Sequence, residues 1–210
     1  MTEPLPPLPP LPPTRWVLGK GAAPGYAGRF ARLVEEGVDI VGEGRLADVL
    51  VDRGARILDV GSGMGRIAAY LQGCGHRVLA AEPDPELVEQ SRRTYPELEV
   101  LPAEILALPA DLGPFDLVVC VGNVMTFVAE GTEVACLERM GSLLAPGGRI
   151  LVGFHLTQGP STARVYAPEE FVAEVETAGL VVQHRFGGYA LEPVNDEYAV
   201  WVLAPGDLAG

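Results

Sequence analysis

From residue 56 onward, short apolar runs alternate with stretches in which apolar positions return every three or four residues. Apolar runs of about four to eight residues predict covered strands, and the three-to-four repeat predicts amphipathic helices. The predicted strands are Arg56–Val60, Arg77–Ala81, Glu99–Leu101, Phe115–Val121, Arg149–His155, Leu180–Phe186 and Tyr198–Ala204. Between them the helical period covers Ile67–Leu71, Pro85 to Tyr95, Thr132–Leu144 and Pro168–Ala178. Pro85 suits a first helical turn, where no backbone N–H is needed. Ala145-Pro-Gly-Gly148 reads as a turn into the fifth strand. Phe115–Val121 is almost wholly apolar, as a strand covered on both faces must be. No helical period links the last two strands, so they are expected to pair antiparallel. Strand–helix alternation of this kind predicts an α/β fold, a doubly wound sheet, mostly parallel with one antiparallel hairpin at its edge.

The chain before the first strand reads differently. Residues 1–14 form a proline-rich N-terminal arm, MTEPLPPLPPLPPT, in which Leu5, Leu8 and Leu11 fall on one stripe of a polyproline helix. The arm reads as an unfolded leader, the alternative being that the stripe docks on the protein's own domain or, in a homodimer, on a mate. Residues 15–50 read as a helical cap segment. Tyr26, Phe30, Leu33 and Val34, then Leu46, Val49 and Leu50, keep helical spacing across a break at Gly37, Gly42 and Gly44. Residues 51–210 are the main domain.

Charge and composition narrow the function. Fifteen Lys and Arg against 28 Asp and Glu give a net charge of −13, with Lys20 the sole lysine. A surface so acidic repels nucleic-acid backbones and anionic membranes, so neither is expected as a partner. Three widely spaced cysteines, Cys74, Cys120 and Cys136, read as free thiols in a reducing compartment. With no secretion signal and no apolar run long enough to span a bilayer, a cytoplasmic location is expected. No P-loop, no nucleophile elbow and no metal-ligand spacing is present.

The chemistry concentrates at Ile57-Leu-Asp-Val-Gly-Ser-Gly-Met-Gly-Arg66, which follows a strand and opens a helix. Unpaired N–H groups and the helix dipole meet a ligand there, and glycines at 61, 63 and 65 allow a sharp turn. The spacing is G-x-G-x-G; Arg66 stands where the dinucleotide fingerprint has its last glycine. Glu82 directly follows the second strand, placed to accept hydrogen bonds from ribose hydroxyls and to repel a 2′-phosphate.

Together with Ala81-Glu-Pro83, Glu104-Ile-Leu-Ala-Leu-Pro109, Phe115-Asp-Leu-Val-Val119 and Leu144-Ala-Pro-Gly-Gly148, that loop resembles the successive motifs of class I S-adenosylmethionine-dependent methyltransferases. The resemblance covers roughly residues 45–204 and implies a Rossmann-like doubly wound seven-stranded sheet, mostly parallel with an antiparallel last strand. It also implies S-adenosyl-L-methionine as cofactor, S-adenosyl-L-homocysteine as product, and methyl transfer to an acceptor. The short, acidic chain favours a small-molecule acceptor. By the resemblance, Gly61, Gly63 and Gly65 line the methionine and ribose portions, and Asp59 holds the amino-acid end. Glu82 takes both ribose hydroxyls, Pro83 lies beside adenine, and Glu104, where the family usually has Asp, accepts from the adenine amino group near Ile105. Gly122 lies on the sulfonium side, Asn123 near the transferred methyl.

His155 ends the fifth strand and is a candidate substrate-side group or base, with a structural histidine as the other reading. Trp16, Tyr26, Arg29, Met125 and Phe127 are candidates for the lid or acceptor side; Met125 and Phe127 read as core or lid before substrate box, and Arg29 as a helix-surface arginine before a partner of the methionine carboxylate. Two rival functions remain at this stage: an NAD-dependent oxidoreductase, and an S-adenosylmethionine-binding protein without catalysis. The first lacks the later glycine and the Tyr-x-x-x-Lys pair.

Overall fold

The computed structural model describes residues 11–19, 36, 38–157, 159 and 162–206. Leu5, Leu8, Tyr26, Arg29 and the first of the two helices expected between Tyr26 and Leu50 lie outside the described residues. The described elements run α1 (Arg15–Leu18), α2 (Gly42–Val49), β1 (Arg56–Val60), α3 (Arg66–Gly73), β2 (Arg77–Ala81), α4 (Pro85–Thr94) and β3 (Glu99–Leu101). A 3₁₀ turn (Ile105–Ala107) precedes β4 (Phe115–Cys120), α5 (Val124–Phe127), α6 (Glu133–Ser142), β5 (Leu144–His155), α7 (Pro168–Thr177), β6 (Leu180–Phe186) and β7 (Tyr198–Pro205).

The strands form one seven-stranded sheet in the order β3-β2-β1-β4-β5-β7-β6. Pairing is parallel from β3 through β5, and β7 runs antiparallel to both β5 and β6. Alternate residues of each central strand feed opposite layers. In β4, Val118 and Cys120 join the core under α6 and α7, while Leu117 and Val119 join the core under α2 and α3. β7 divides likewise, Trp201 and Leu203 to one side and Val200 and Val202 to the other. Period-2 alternation between two apolar layers is what a sheet sandwiched by helices requires.

Two expected boundaries move together: the helix expected to reach Leu144 ends at Ser142, and the next strand starts early. β5 begins at Leu144 rather than Arg149, and the predicted turn lies within it. Phe115 pairs with Leu144 and Leu117 with Arg149, so the Pro-Gly-Gly segment bulges out of register while the strand continues. Gly148 is required there, because a Cβ would stand 2.9 Å from the Phe115 carbonyl oxygen. No helix among the described residues is long and apolar enough to cross a membrane.

Candidate active site at the carboxyl edge of the sheet

The strand order reverses between β1 and β4: from β1 the chain winds outward to β2 and β3, then returns to β4 on the other side. A crevice opens beyond the carboxyl ends at such a point. The loops after β1, β2 and β4 therefore converge, and they carry most of the predicted site residues.

The loop after β1 is made by three left-handed glycines, Gly61, Gly63 and Gly65, at φ of +64°, +57° and +80°. Their surroundings differ. A Cβ on Gly61 would lie 2.4 Å from Val124, and one on Gly65 would lie 2.3 Å from Ser91 Oγ and 2.8 Å from Leu98. Gly61 thus lets α5 close on β1, and Gly65 lets α3 approach α4. In front of Gly63 there is open space, as there is at Gly122 (φ +73°) beyond β4. These two open positions bracket the crevice.

Glu82 is only 4% exposed. The Gly63 N–H donates to its Oε2 (2.8 Å) and the Asp84 N–H to its Oε1 (2.9 Å). One carboxylate thereby ties the glycine loop to the β2–α4 turn. Burial pushes its pKa up to about 7, against the opposing pull of those two N–H bonds. Asp59 is equally buried, its Oδ2 without a partner among the described residues. Its pKa also rises to about 7, chiefly through burial, with Arg66 opposing and Glu82 adding to the rise. Two desolvated carboxyls and the buried, unpartnered Ser62 hydroxyl beside open space fit a ligand that supplies donors and positive charge.

The other predicted residues divide. Pro83 is exposed, and Glu104 is half-buried with its pKa raised by burial. Ile105 packs its side chain into the core, leaving only its backbone to face a ligand. Asn123 and His155 are brought together, but through the backbone: the His155 N–H donates to Asn123 Oδ1 (2.8 Å). Asn123 sits in the left-handed region at φ 77° and starts α5. The exposed His155 ring packs edge-on against Tyr198, centroids 4.7 Å apart. Met125 takes the core place among its expected alternatives: it is fully buried under α6, so it fills the interior and forms no part of a lid. Phe127 is half-buried and meets Trp16 edge-on at 5.3 Å.

Trp16 spans the crevice. Its ring touches Phe127, beyond β4, while its Nε1 donates to Asp84 Oδ2 (2.8 Å), beyond β2. The indole therefore bridges two loops that flank the glycine loop of β1. Several contacts were not visible in sequence. Arg66 forms a two-pronged ion pair with Glu43 of α2 (2.8 and 3.0 Å), anchoring α2 against the glycine loop. Tyr189 and Tyr198 join their hydroxyls at 2.9 Å. Burial holds both tyrosine pKa values up, and the Gly122 backbone N–H opposes that rise in each. Only the placement of Tyr189 beyond β6 and Tyr198 at the head of β7 hinted at this pair.

A family model described as a methyltransferase domain matches residues 57–148. A TehB-like S-adenosylmethionine-dependent methyltransferase from Corynebacterium glutamicum is 33% identical and superposes with a TM-score of 0.78 over 87% of this chain and 97% of that one. The ubiquinone biosynthesis O-methyltransferase of Xanthomonas axonopodis pv. citri is 28% identical over 159 residues, 73% of this chain; the match spans 62% of that protein's length. The Burkholderia thailandensis 1,6-didemethyltoxoflavin-N1-methyltransferase, solved with 1,6-didemethyltoxoflavin and S-adenosylhomocysteine, shares the fold at a TM-score of 0.62 and 21% identity, covering 89% of this chain and 92% of its own. A buried carboxylate clasping a glycine loop at the switch point of this sheet, and a close relative matched almost end to end, lead to one conclusion: the chain belongs to the S-adenosylmethionine-dependent methyltransferase family.

Proposed function

We propose that this protein transfers a methyl group from S-adenosylmethionine to a small-molecule acceptor at the carboxyl edge of its sheet. The single observation that carries the reading is Glu82: buried, and fastened to the glycine loop through the N–H of Gly63, the glycine that has open space in front of it. Each of its oxygens accepts one backbone N–H and keeps a lone pair for a ribose hydroxyl.

When bound, the cofactor supplies a methyl on a positively charged sulfur, activated for in-line displacement. The chain's own residues bind and align. Gly61, Gly63 and Gly65 present the backbone to the cofactor, Asp59 faces its amino-acid end, and Gly122 lies on the sulfonium side. Pro83, Glu104 and the Ile105 backbone border the adenine. The acidic trio Asp59, Glu82 and Glu104 favours a cation. Alignment of acceptor and methyl is the enzyme's main contribution, worth roughly 7–11 kcal/mol at its limit. Asn123 and His155 stand on the acceptor side, and His155, exposed at the end of β5, takes a proton where the acceptor must lose one. The described part of the domain assigned to residues 51–210 carries the site, and α1 and α2, from the segment 15–50, cap it.

A small acceptor fits the net charge of −13, which disfavours nucleic acid. The relatives named for ubiquinone biosynthesis and for didemethyltoxoflavin N1 methylation point the same way, one toward oxygen and the other toward nitrogen. The free cysteines agree with a reducing cytoplasm. The test is titration with S-adenosylhomocysteine and S-adenosylmethionine, then release of S-adenosylhomocysteine in the presence of small hydroxyl and amine acceptors. Binding of both nucleosides and acceptor-dependent turnover is the expected result. Binding of NAD in their place would overturn the reading.

A further inference from the structure

Glu133 opens α6 outside the crevice, yet it is one of the few buried charges among the described residues, only 4% exposed. Two arginines from distant parts of the chain converge on its carboxylate. Arg15 of α1 donates to Oε1 at 2.9 Å, and Arg164, on the segment leading into α7, lies 3.1 Å from the same oxygen. Arg15 Nη1 also donates to the Val128 carbonyl (2.8 Å), just past α5. Arg164 is held further by Glu174 (3.0 Å) and Glu170 (3.1 Å), and its backbone N–H donates to the Thr126 carbonyl (2.9 Å) within α5. Both segments thus grip α5, the turn that carries Phe127, and both meet at Glu133.

A four-residue helix such as α1 cannot hold itself together in water. Its place is set by what Arg15 and Trp16 touch. Trp16 reaches across the crevice from Phe127 to Asp84, while Arg15, one residue earlier, is fastened to Glu133. A buried carboxylate with a fixed guanidinium partner holds its geometry far better than an exposed pair, because water does not compete for it.

We infer that Glu133 is a positioning residue for the cofactor: through Arg15 it latches α1, and with it Trp16, across the mouth of the crevice, with Arg164 bracing the same carboxylate. The inference rests on the proposal that the crevice takes the cofactor. It goes further in assigning cofactor retention to a residue that touches no part of the crevice. Arg15 and Glu133 therefore act together: once Arg15 is removed, removing Glu133 adds nothing to the release of α1, and the two losses overlap where independent losses would multiply.

The experiment uses Glu133→Gln, Arg15→Met and the double variant in the full chain. Affinity for S-adenosylhomocysteine is measured by calorimetry, and acrylamide quenching of tryptophan fluorescence is followed without ligand. The chain has two tryptophans, and Trp201 is only 1% exposed, so added quenching reports on Trp16. Each single variant is expected to weaken binding roughly tenfold, within the range of couplings between sites. Each is expected to raise quenching, and the double variant to be no weaker than the weaker single. Arg15 lies outside the core clusters, so Arg15→Met reports the latch even where Glu133→Gln disturbs folding. Unchanged affinity and quenching in Arg15→Met, or losses that multiply in the double variant, would overturn the inference. Failure of the unaltered protein to bind S-adenosylhomocysteine would instead overturn the proposed function.

Discussion

Gly63 and Gly65 share a left-handed backbone but stand in different surroundings, and that difference makes a prediction at the level of single residues. Adding a methyl at Gly65 forces it into Ser91 and Leu98 on top of an unfavourable φ, so Gly65→Ala is expected to destabilise the fold by about 2–4 kcal/mol. Gly63→Ala meets nothing and carries only the conformational penalty, about 1–2 kcal/mol, yet its methyl stands in the space assigned to the cofactor. Urea unfolding combined with S-adenosylhomocysteine titration separates the two. Gly65→Ala should be the less stable, and Gly63→Ala should lose affinity out of proportion to its loss of stability. Equal stability losses in both variants would contradict this account of the loop. Glu82 could be picked out in sequence because its strand and the glycine loop fix where it falls. Its bond to the Gly63 N–H could not, since that depends on how far the loop folds back over β2.

Among the elements, β5 ties the site to the far half of the sheet. Gly153 has no room for a side chain: a Cβ would overlap the Tyr189 hydroxyl and approach that of Tyr198. Gly153→Ala should therefore break the Tyr189–Tyr198 pair and destabilise the protein by about 1–3 kcal/mol in urea unfolding. Adding Tyr189→Phe, which removes the clashing oxygen, should recover part of that loss; no recovery would show that the clash is relieved elsewhere. The long elements were legible because each buries a face with a clear period: β1, β2, β4 and α4 lie within a residue or so of their predicted limits. What was hidden has a common cause. α1 and α5 have four residues each, too few to leave a helical repeat, and their places depend on Trp16, Arg15 and Val124 touching residues far along the chain. Met125 was ambiguous because a buried methionine and a cleft methionine look alike without the sheet beneath them. The bulge at Pro146–Gly148 looked like a turn because proline and glycine carry the same local signal in both.

For the molecule as a whole, the raised carboxyls tie stability and binding to pH in opposite directions. Asp59 and Glu82 each have a folded pKa of about 7 against ordinary values of 3.8 and 4.5. Between those values and 7 the unfolded chain has already released protons that the folded protein keeps. Their contribution to stability is therefore present at low pH and is lost as pH rises through about 7. The thermal midpoint of the ligand-free protein is expected to fall from about pH 5.5 to about pH 8, measured at constant ionic strength. Ribose hydroxyls donate best to an ionised Glu82, so affinity for S-adenosylhomocysteine should rise over the same interval, by up to about tenfold per pH unit below 7. Parallel trends in stability and affinity would show that these carboxyls do not govern both.

The most direct test of the central claim, that a nucleoside is held between the glycine loop and the Glu82 carboxylate, is calorimetric titration of S-adenosylhomocysteine into the unaltered protein and into Glu82→Ala. One-site binding is predicted for the first. In the second it should be weaker by about 100-fold, the loss of two hydrogen bonds to a charged group. No binding to the unaltered protein, or equal binding to both, would contradict it.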